Sequence, residues 1–418
     1  MYNKVILSNG VNVLYENIPH IHTVQLCLYI SVGSRYENEK NNGISHFMEH
    51  MVVETTENNK KLIDTIQDEI GEITAYTTKD ATIYYVRTLK EYLTHCIDVF
   101  KKMMENTQFN PDTISKEIKV ITEEINISNG SQVEQLNNML SIATWGSSAL
   151  SFPIIGTINN ISTFDSEILS KFKKDYYISE NMIISLAGDF DSSNVDYICK
   201  SFSTLNRFKH CYFNDSSCIL NKRIDYKKSE QKQVYVAITL NKFQSSLKNI
   251  LINEIISLYL GKGIDSILFK RLRNDLGYVY SINTSGDYHE DISALQIYSI
   301  CSKGNLLSVI ETLSNEIKNF INSNDFYKNI STLKKRLKNS YIFSSEYISS
   351  KSVDNCINEI YFQKPFSLER KLELIDNISI ADISQFIDST LRRKNMPLVL
   401  LGDLDQDEVN KIIDKNIW

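Results

Sequence analysis

Two stretches of this chain repeat each other half a length apart, and that repeat limits the fold more than any other feature. Residues 182–191 read MIISLAGDFD and residues 396–405 read MPLVLLGDLD, an offset of 214 in a chain of 418. Both are apolar strands ending in Gly-Asp-x-Asp, and both precede a helix-like segment, Ser192 to Phe202 and Gln406 to Ile413. Each half also opens with alternating strand patterns, near 24–32 and near 233–240. One half-length offset predicts duplication of a domain, because a solenoid needs several short repeats. Two domains of about 200 residues also suit the length. The expected organisation is a domain over 1–210, a linker over 211–230 and a homologous domain over 231–418.

Strands are predicted near 5–15, 24–33, 71–77, 81–87 and 182–188 in the first half, with helices near 42–55, 60–69, 89–106, 111–127, 131–143 and 165–176. Asn9-Gly10 reads as the turn of a first hairpin. Segment 89–106 sets Leu89, Tyr92, Leu93, Cys96, Val99, Phe100 and Met103 at helical spacing, a core-facing stripe. Strands and helices do not alternate strictly. The expected class is therefore α+β, two homologous domains, each a mixed β-sheet with helices packed mainly on one face.

Hydrophobic residues make up 42% and charged residues 23%, enough for a globular core without unusual help. A net charge of −6 and the lack of a long basic run argue against nucleic acid and anionic membrane surfaces as partners. Apolar runs such as Leu26 to Val32 fall far short of the roughly 20 residues a membrane span needs. The N-terminal residues lead straight into a strand pattern, with neither a signal peptide nor a transit segment. Seven cysteines, at 27, 96, 199, 211, 218, 301 and 356, include no Cys-x-x-Cys pair and read as reduced, mostly buried thiols. The expected location is cytoplasmic, in an AT-rich bacterium, given the Ile-, Asn- and Lys-rich composition.

The chemistry concentrates at His46-Phe47-Met48-Glu49-His50. Positions i, i+3 and i+4 share one helical face. Two imidazoles one turn apart can both reach a single Zn²⁺, and the glutamate between them can reach a water on the metal. Asn41-Asn42-Gly43 upstream supplies helix-start chemistry. A catalytic zinc usually takes a third protein ligand. The predicted helix 111–127 offers Glu117, Glu123 and Glu124, of which Glu117 and Glu124 share a face two turns apart. One can bind metal while the other steadies a ligand imidazole. The second half has no such site, since its only histidine after residue 230 is His289.

The segment GSRYENEKNNGISHFMEHM (33–51) resembles the inverzincin signature of the pitrilysin-type M16 metallopeptidases, and Glu117 to Glu124 resembles their downstream segment with two glutamates seven apart. The length and the two homologous domains resemble the processing-peptidase subfamily. The resemblance implies the M16/LuxS-like metallohydrolase fold, one zinc per chain held by His46, His50 and Glu124, Glu49 as general base, and Glu117 supporting a ligand. The segment LGKGIDSILFKRLRNDLGYVYSI (260–282) is similar to the family motif whose Arg and Tyr contact the peptide, here Arg273 and Tyr280, with Tyr278 a rival for the phenol role. In this family the 71–77 strand edge binds extended substrate by backbone pairing. Phe47, Thr74, Ala75 and Tyr76 would then touch the peptide, although the family usually has Asn where this chain has Thr74. The implied function is a zinc endopeptidase cleaving extended or unfolded peptides in an enclosed chamber, for leader-peptide processing or peptide degradation. The implied assembly is a homodimer, or a heterodimer with a related chain, in which Arg273 and Tyr280 face the other subunit's metal site. The alternatives are a non-catalytic structural subunit and a zinc hydrolase acting on something other than peptides.

Overall fold

The structure is a computed structural model that describes residues 2–58, 60–67, 70–205, 220, 223–347, 351–362, 367–392 and 396–414. The first half contributes β1 (Asn3–Ile6), β2 (Asn12–Asn17), β3 (Val24–Ile30), α1 (Ile44–Val53), β4 (Gly71–Thr77), β5 (Thr82–Thr88), α2 (Leu93–Glu105), α3 (Pro111–Gly130), α4 (Gln132–Trp145), α5 (Ser166–Tyr176), β6 (Met182–Gly188) and α6 (Ser192–Phe202). The second contributes β7 (Ile224–Lys228), β8 (Gln233–Gln244), α7 (Leu247–Leu260), β9 (Val279–Tyr288), β10 (Ile292–Ser302), α8 (Leu306–Asn322), α9 (Ile330–Ser345), α10 (Lys351–Phe362), α11 (Leu368–Asn377), α12 (Ile380–Thr390), β11 (Leu398–Gly402) and α13 (Gln406–Asp414).

The sequence repeat becomes a repeat of topology. One sheet has the order β1-β2-β6-β3-β5-β4 and the other β7-β11-β8-β10-β9. The Gly-Asp strand β6 pairs parallel with β2 and antiparallel with β3. Its counterpart β11 pairs parallel with β7 and antiparallel with β8. The remaining strands follow antiparallel in both sheets. Both sheets are thus mixed, and the class is α+β. Strand β4, which carries Thr74 to Thr77, is an edge strand, and so is its counterpart β9.

The chain divides into two compact units, Met1–Ile127 with Phe152–Asn214 and Phe343–Leu368, and Ser128–Ser151 with Asp215–Ile342 and Glu369–Trp418. Successive side chains alternate between the two faces of each sheet, and the central strands carry buried apolar residues on both. Along β11, Leu398 and Leu400 enter one core while Val399 and Leu401 enter another. In the first unit α1, α2, α3, α5 and α6 cover one face. The other face is covered by α10, whose Val353 and Cys356 pack on Leu14, Cys27, Tyr29 and Ile183. In the second unit α7, α8, α9 and α12 cover one face. Helix α4 covers the other, with Leu136, Leu140 and Ala143 against Ala237, Val399 and Leu401. Segments 128–151 and 343–368 therefore pack in the unit opposite to their half of the sequence, unlike the contiguous 1–210 and 231–418 division.

Three local expectations change. Within the 211–230 linker, Ile224–Lys228 is strand β7, paired with β11 because its half-buried Ile224 and Tyr226 pack on the second core; residues 211–219, 221 and 222 lie outside the described residues. The helix expected over 60–69 is a single turn, Asp64–Gln67, after a small hairpin of Thr56–Glu57 and Lys60–Lys61, with Asn58 at a φ of 52°. Leu62, Ile63 and Ile66 reach the core from this irregular path. Helix α2 begins at Leu93, and Leu89 stays 42% exposed rather than joining the stripe. Cys27, Cys96, Cys301 and Cys356 are buried free thiols and Cys199 is half-buried, while Cys211 and Cys218 lie outside the described residues. No described helix is long and apolar enough to cross a membrane.

Candidate metal centre

Helix α1 is fixed at its N-terminus before it presents any chemistry. Its cap, Gly43, has a φ of 99°, and a Cβ there would lie 2.8 Å from the Gly156 backbone. Only glycine tolerates both conditions. Glu37, 3% exposed, then serves as a remote cap. Its Oε2 accepts from the Gly43 N–H at 2.8 Å and from Asn42 Nδ2 at 2.9 Å, and its Oε1 accepts from the Ser45 N–H at 2.8 Å. A carboxylate suits the positive end of the helix and its unpaired N–H groups. Burial pushes the Glu37 carboxyl up in pKa, and the donated hydrogen bonds pull it back. Sequence pattern alone does not single out Glu37; its one local signal is an acid shortly before an Asn-Gly helix start.

Phe47, Met48, Met51 and Val52 point into the core, which turns His46, Glu49 and His50 to the opposite side of α1. Phe47 is fully buried and packs edge-on against Phe164, with centroids 5.5 Å apart. Its expected contact with substrate is corrected to a core role, because no surface remains for a ligand to touch.

Helix α3 supplies the acids. Ile114, Ile121 and Ile125 anchor it, Glu117 is buried, Glu124 half-buried and Glu123 exposed. Ligand atoms of His46, His50 and Glu124 all lie within 4.8 Å of one another. Oε2 of Glu124 is 3.8 Å from His46 Nε2 and 3.6 Å from His50 Nε2. Ligands about 2.0–2.2 Å from a tetrahedral zinc stand roughly 3.3–3.5 Å apart, so the cluster needs only small adjustments to hold that ion. On the far side of His50, Nδ1 lies 3.0 Å from Glu117 Oε2, an acceptor for an Nδ1 proton, so the neutral ring would offer its Nε2 lone pair toward Glu124. Burial, and secondarily the neighbouring His50, lowers the His46 pKa to about 4, so this imidazole is neutral at pH 7. These residue types and distances, and the neutral His46 ring, fit a zinc ion. The second unit holds no comparable cluster among its described residues.

Glu49 is 9% exposed, and its Oε2 accepts a 2.6 Å hydrogen bond from Thr77 Oγ1. Burial raises its pKa, and the Thr77 bond opposes that rise. Thr77 too was missed from sequence, where it read only as part of a strand. Along β4, Thr74 and Tyr76 are exposed and Ala75 is half-buried against the core.

In the second unit, Arg273 lies in a π-helical stretch, Phe269–Asp275, just before β9. Its guanidinium carbon lies 5.2 Å from the Phe269 ring centroid and 5.9 Å from that of Tyr280. Tyr280 is 70% exposed, whereas Tyr278 is partly buried against the core. The structure thus brings Arg273 and Tyr280 together.

Comparison with known proteins gives consistent results. The family described as Insulinase (Peptidase family M16) matches residues 12–158, and that described as Peptidase M16 inactive domain matches residues 163–332. A Bacillus subtilis protein named uncharacterized zinc protease YmxG is 26% identical over 387 residues, 92% of this chain and 94% of its own. A Helicobacter pylori protease superposes with a TM-score of 0.85 at 18% identity, over 96% of this chain and 99% of its own. A Pseudomonas fluorescens peptidase M16 inactive domain gives 0.85 at 15% identity, over 97% and 98%. Matched to this family in both halves and sharing the fold along nearly its whole length, the chain belongs to peptidase family M16.

Proposed function

We propose that this chain is a zinc-dependent endopeptidase, with His46, His50 and Glu124 as ligands and Glu49 as the general base. The observation that carries the proposal is a buried carboxylate, Glu49, presented beside two imidazoles whose Nε2 atoms converge on Glu124. Bound zinc supplies the Lewis acid that polarises the scissile carbonyl and acidifies the attacking water. Glu49 accepts a proton as the water oxygen adds to the carbonyl carbon, then delivers it to the leaving nitrogen as the C–N bond breaks. Glu117 holds His50 in the orientation and tautomer that ligation needs. The open edge of β4, at Thr74, Ala75 and Tyr76, accepts an extended peptide as an added strand, gaining main-chain hydrogen bonds with little demand on sequence. Arg273 offers fixed donors to peptide carbonyls, and the Tyr280 phenol supports the developing oxyanion.

The chain is proposed to act as a dimer, with an identical or related partner, on unfolded or short peptides. The five described free cysteines support a reducing, cytoplasmic setting. The test is cleavage of a peptide library by the purified protein with zinc, read by mass spectrometry. Cleavage that a chelator abolishes and zinc restores supports the reading. Failure to cleave any peptide with zinc bound favours a non-catalytic subunit.

A further inference from the structure

We infer that Thr77 is a positioning residue whose hydroxyl holds the Glu49 carboxylate in place for proton transfer, joining the substrate-binding strand to the base through one hydrogen bond. The catalytic consequence rests on the peptidase reading above; the contact itself does not. Thr77 is the last residue of β4 and closes its inward-facing file, Ile73, Ala75 and Thr77. The first two pack against the core of the first unit, where a third apolar residue would be ordinary. Thr77 instead donates to Glu49 at 2.6 Å. It makes the one hydrogen bond to Glu49 among the described residues. A buried carboxylate without a donor is costly, and a short O–H···O⁻ bond is among the stronger ones available to it.

The segment Gly33 to Glu37 fixes this contact from both sides. Its Ser34 N–H donates to Thr78 O at 3.1 Å and its Arg35 N–H to Lys79 O at 2.9 Å. The Arg35 guanidinium pairs with Asp80 at 2.6 Å, and both side chains are largely buried. The turn is closed by Thr78, whose N–H donates to Ala81 O at 2.7 Å and whose Oγ1 accepts from the Ala81 N–H at 3.0 Å. Two residues on, Glu37 caps α1. One short segment therefore locks both the end of β4, which carries Thr77, and the start of α1, which carries Glu49. Peptide pairing along β4 would stiffen the same strand end that holds the base.

The test compares Thr77→Val, which keeps the shape and removes the donor, with Thr77→Ser, which keeps the donor. In the metal-free protein, urea unfolding midpoints are measured for Thr77→Val, Glu49→Ala and the double variant. The expected result is non-additive: Thr77→Val lowers the midpoint when Glu49 is present and does not lower it further in the Glu49→Ala background. In the zinc-loaded protein, Thr77→Val is expected to lower kcat about 10- to 100-fold with KM and zinc affinity little changed, while Thr77→Ser stays near wild type. Additive midpoints, or wild-type kcat in Thr77→Val, overturn the inference. If the zinc-loaded wild type cleaves no peptide, the peptidase reading falls, and the unfolding cycle still decides whether Thr77 holds Glu49.

Discussion

His46 and His50 stand one helical turn apart, with ring centroids 4.7 Å from each other, yet their protonation differs because their neighbours differ. Burial and the nearby His50 keep His46 down at about 4. His50 is also pulled down by burial, but the Glu117 hydrogen bond and the charges of Glu124 and Glu49 outweigh it and raise its pKa above the usual histidine value. A metal requires both rings neutral. His46 meets that condition at any pH well above 4, so His50 sets the pH dependence. Zinc affinity should rise with pH up to and through the elevated His50 pKa, and binding should release a proton wherever the His50 ring is still charged. Calorimetry in buffers of different ionisation enthalpy measures that release; an affinity flat between about pH 6 and 8 would exclude this role for His50. Replacing Glu117 by Gln removes the charge behind His50 and should weaken zinc binding about 10- to 100-fold, read by competition with a chromogenic chelator.

At the scale of single elements, α1 depends on a cap that lies outside it. Glu37→Ala should destabilise the protein by about 1–3 kcal/mol, since it removes a helix cap and leaves buried N–H donors unpaired. Zinc affinity should fall with it, because His46 and His50 follow the start of α1; a variant with unchanged unfolding midpoint and zinc affinity would show that Gly43 suffices alone. The candidate residues were legible in sequence because their spacings within each helix are local, i, i+3 and i+4 on α1 and two turns between Glu117 and Glu124 on α3. Which glutamate meets the two histidines depends on how α1 and α3 pack, and Glu124 was named only through the family resemblance. Glu37 and Thr77 were not legible, because their partners are set by tertiary contact: Glu37 reaches across a turn, and Thr77 meets Glu49 from a strand 28 residues on. The burial of Phe47 was missed for a related reason. A helix pattern shows that one face is apolar, and Phe47 lies between the two histidines in sequence yet points away from them in space. Periodicity also found α4 as a helix without showing that it covers the sheet of the second half. Strand β7 escaped notice because five residues paired along one edge carry too little pattern to stand apart from a linker.

At the scale of the whole molecule, the two sheets have matching topology, and among the described residues only the first unit holds a cluster that could bind a metal. The second unit's edge strand β9 carries the exposed Tyr280, at the position where the first sheet carries the proposed peptide-binding strand β4. If Arg273 and Tyr280 serve the partner subunit's metal site, mixing Glu49→Gln chains with Tyr280→Phe chains should restore activity to about a quarter of wild type, since random pairing in a homodimer leaves one intact site in half the dimers. No restoration would place both residues in the service of their own chain. The proposed peptide cleavage by a bound zinc ion and Glu49 together is tested most directly by the zinc content and peptide turnover of Glu49→Gln beside wild type. The predicted result is one zinc per chain in both proteins and turnover lowered about 100- to 10,000-fold in the variant. A Glu49→Gln protein that keeps its zinc and cleaves at the wild-type rate would contradict it.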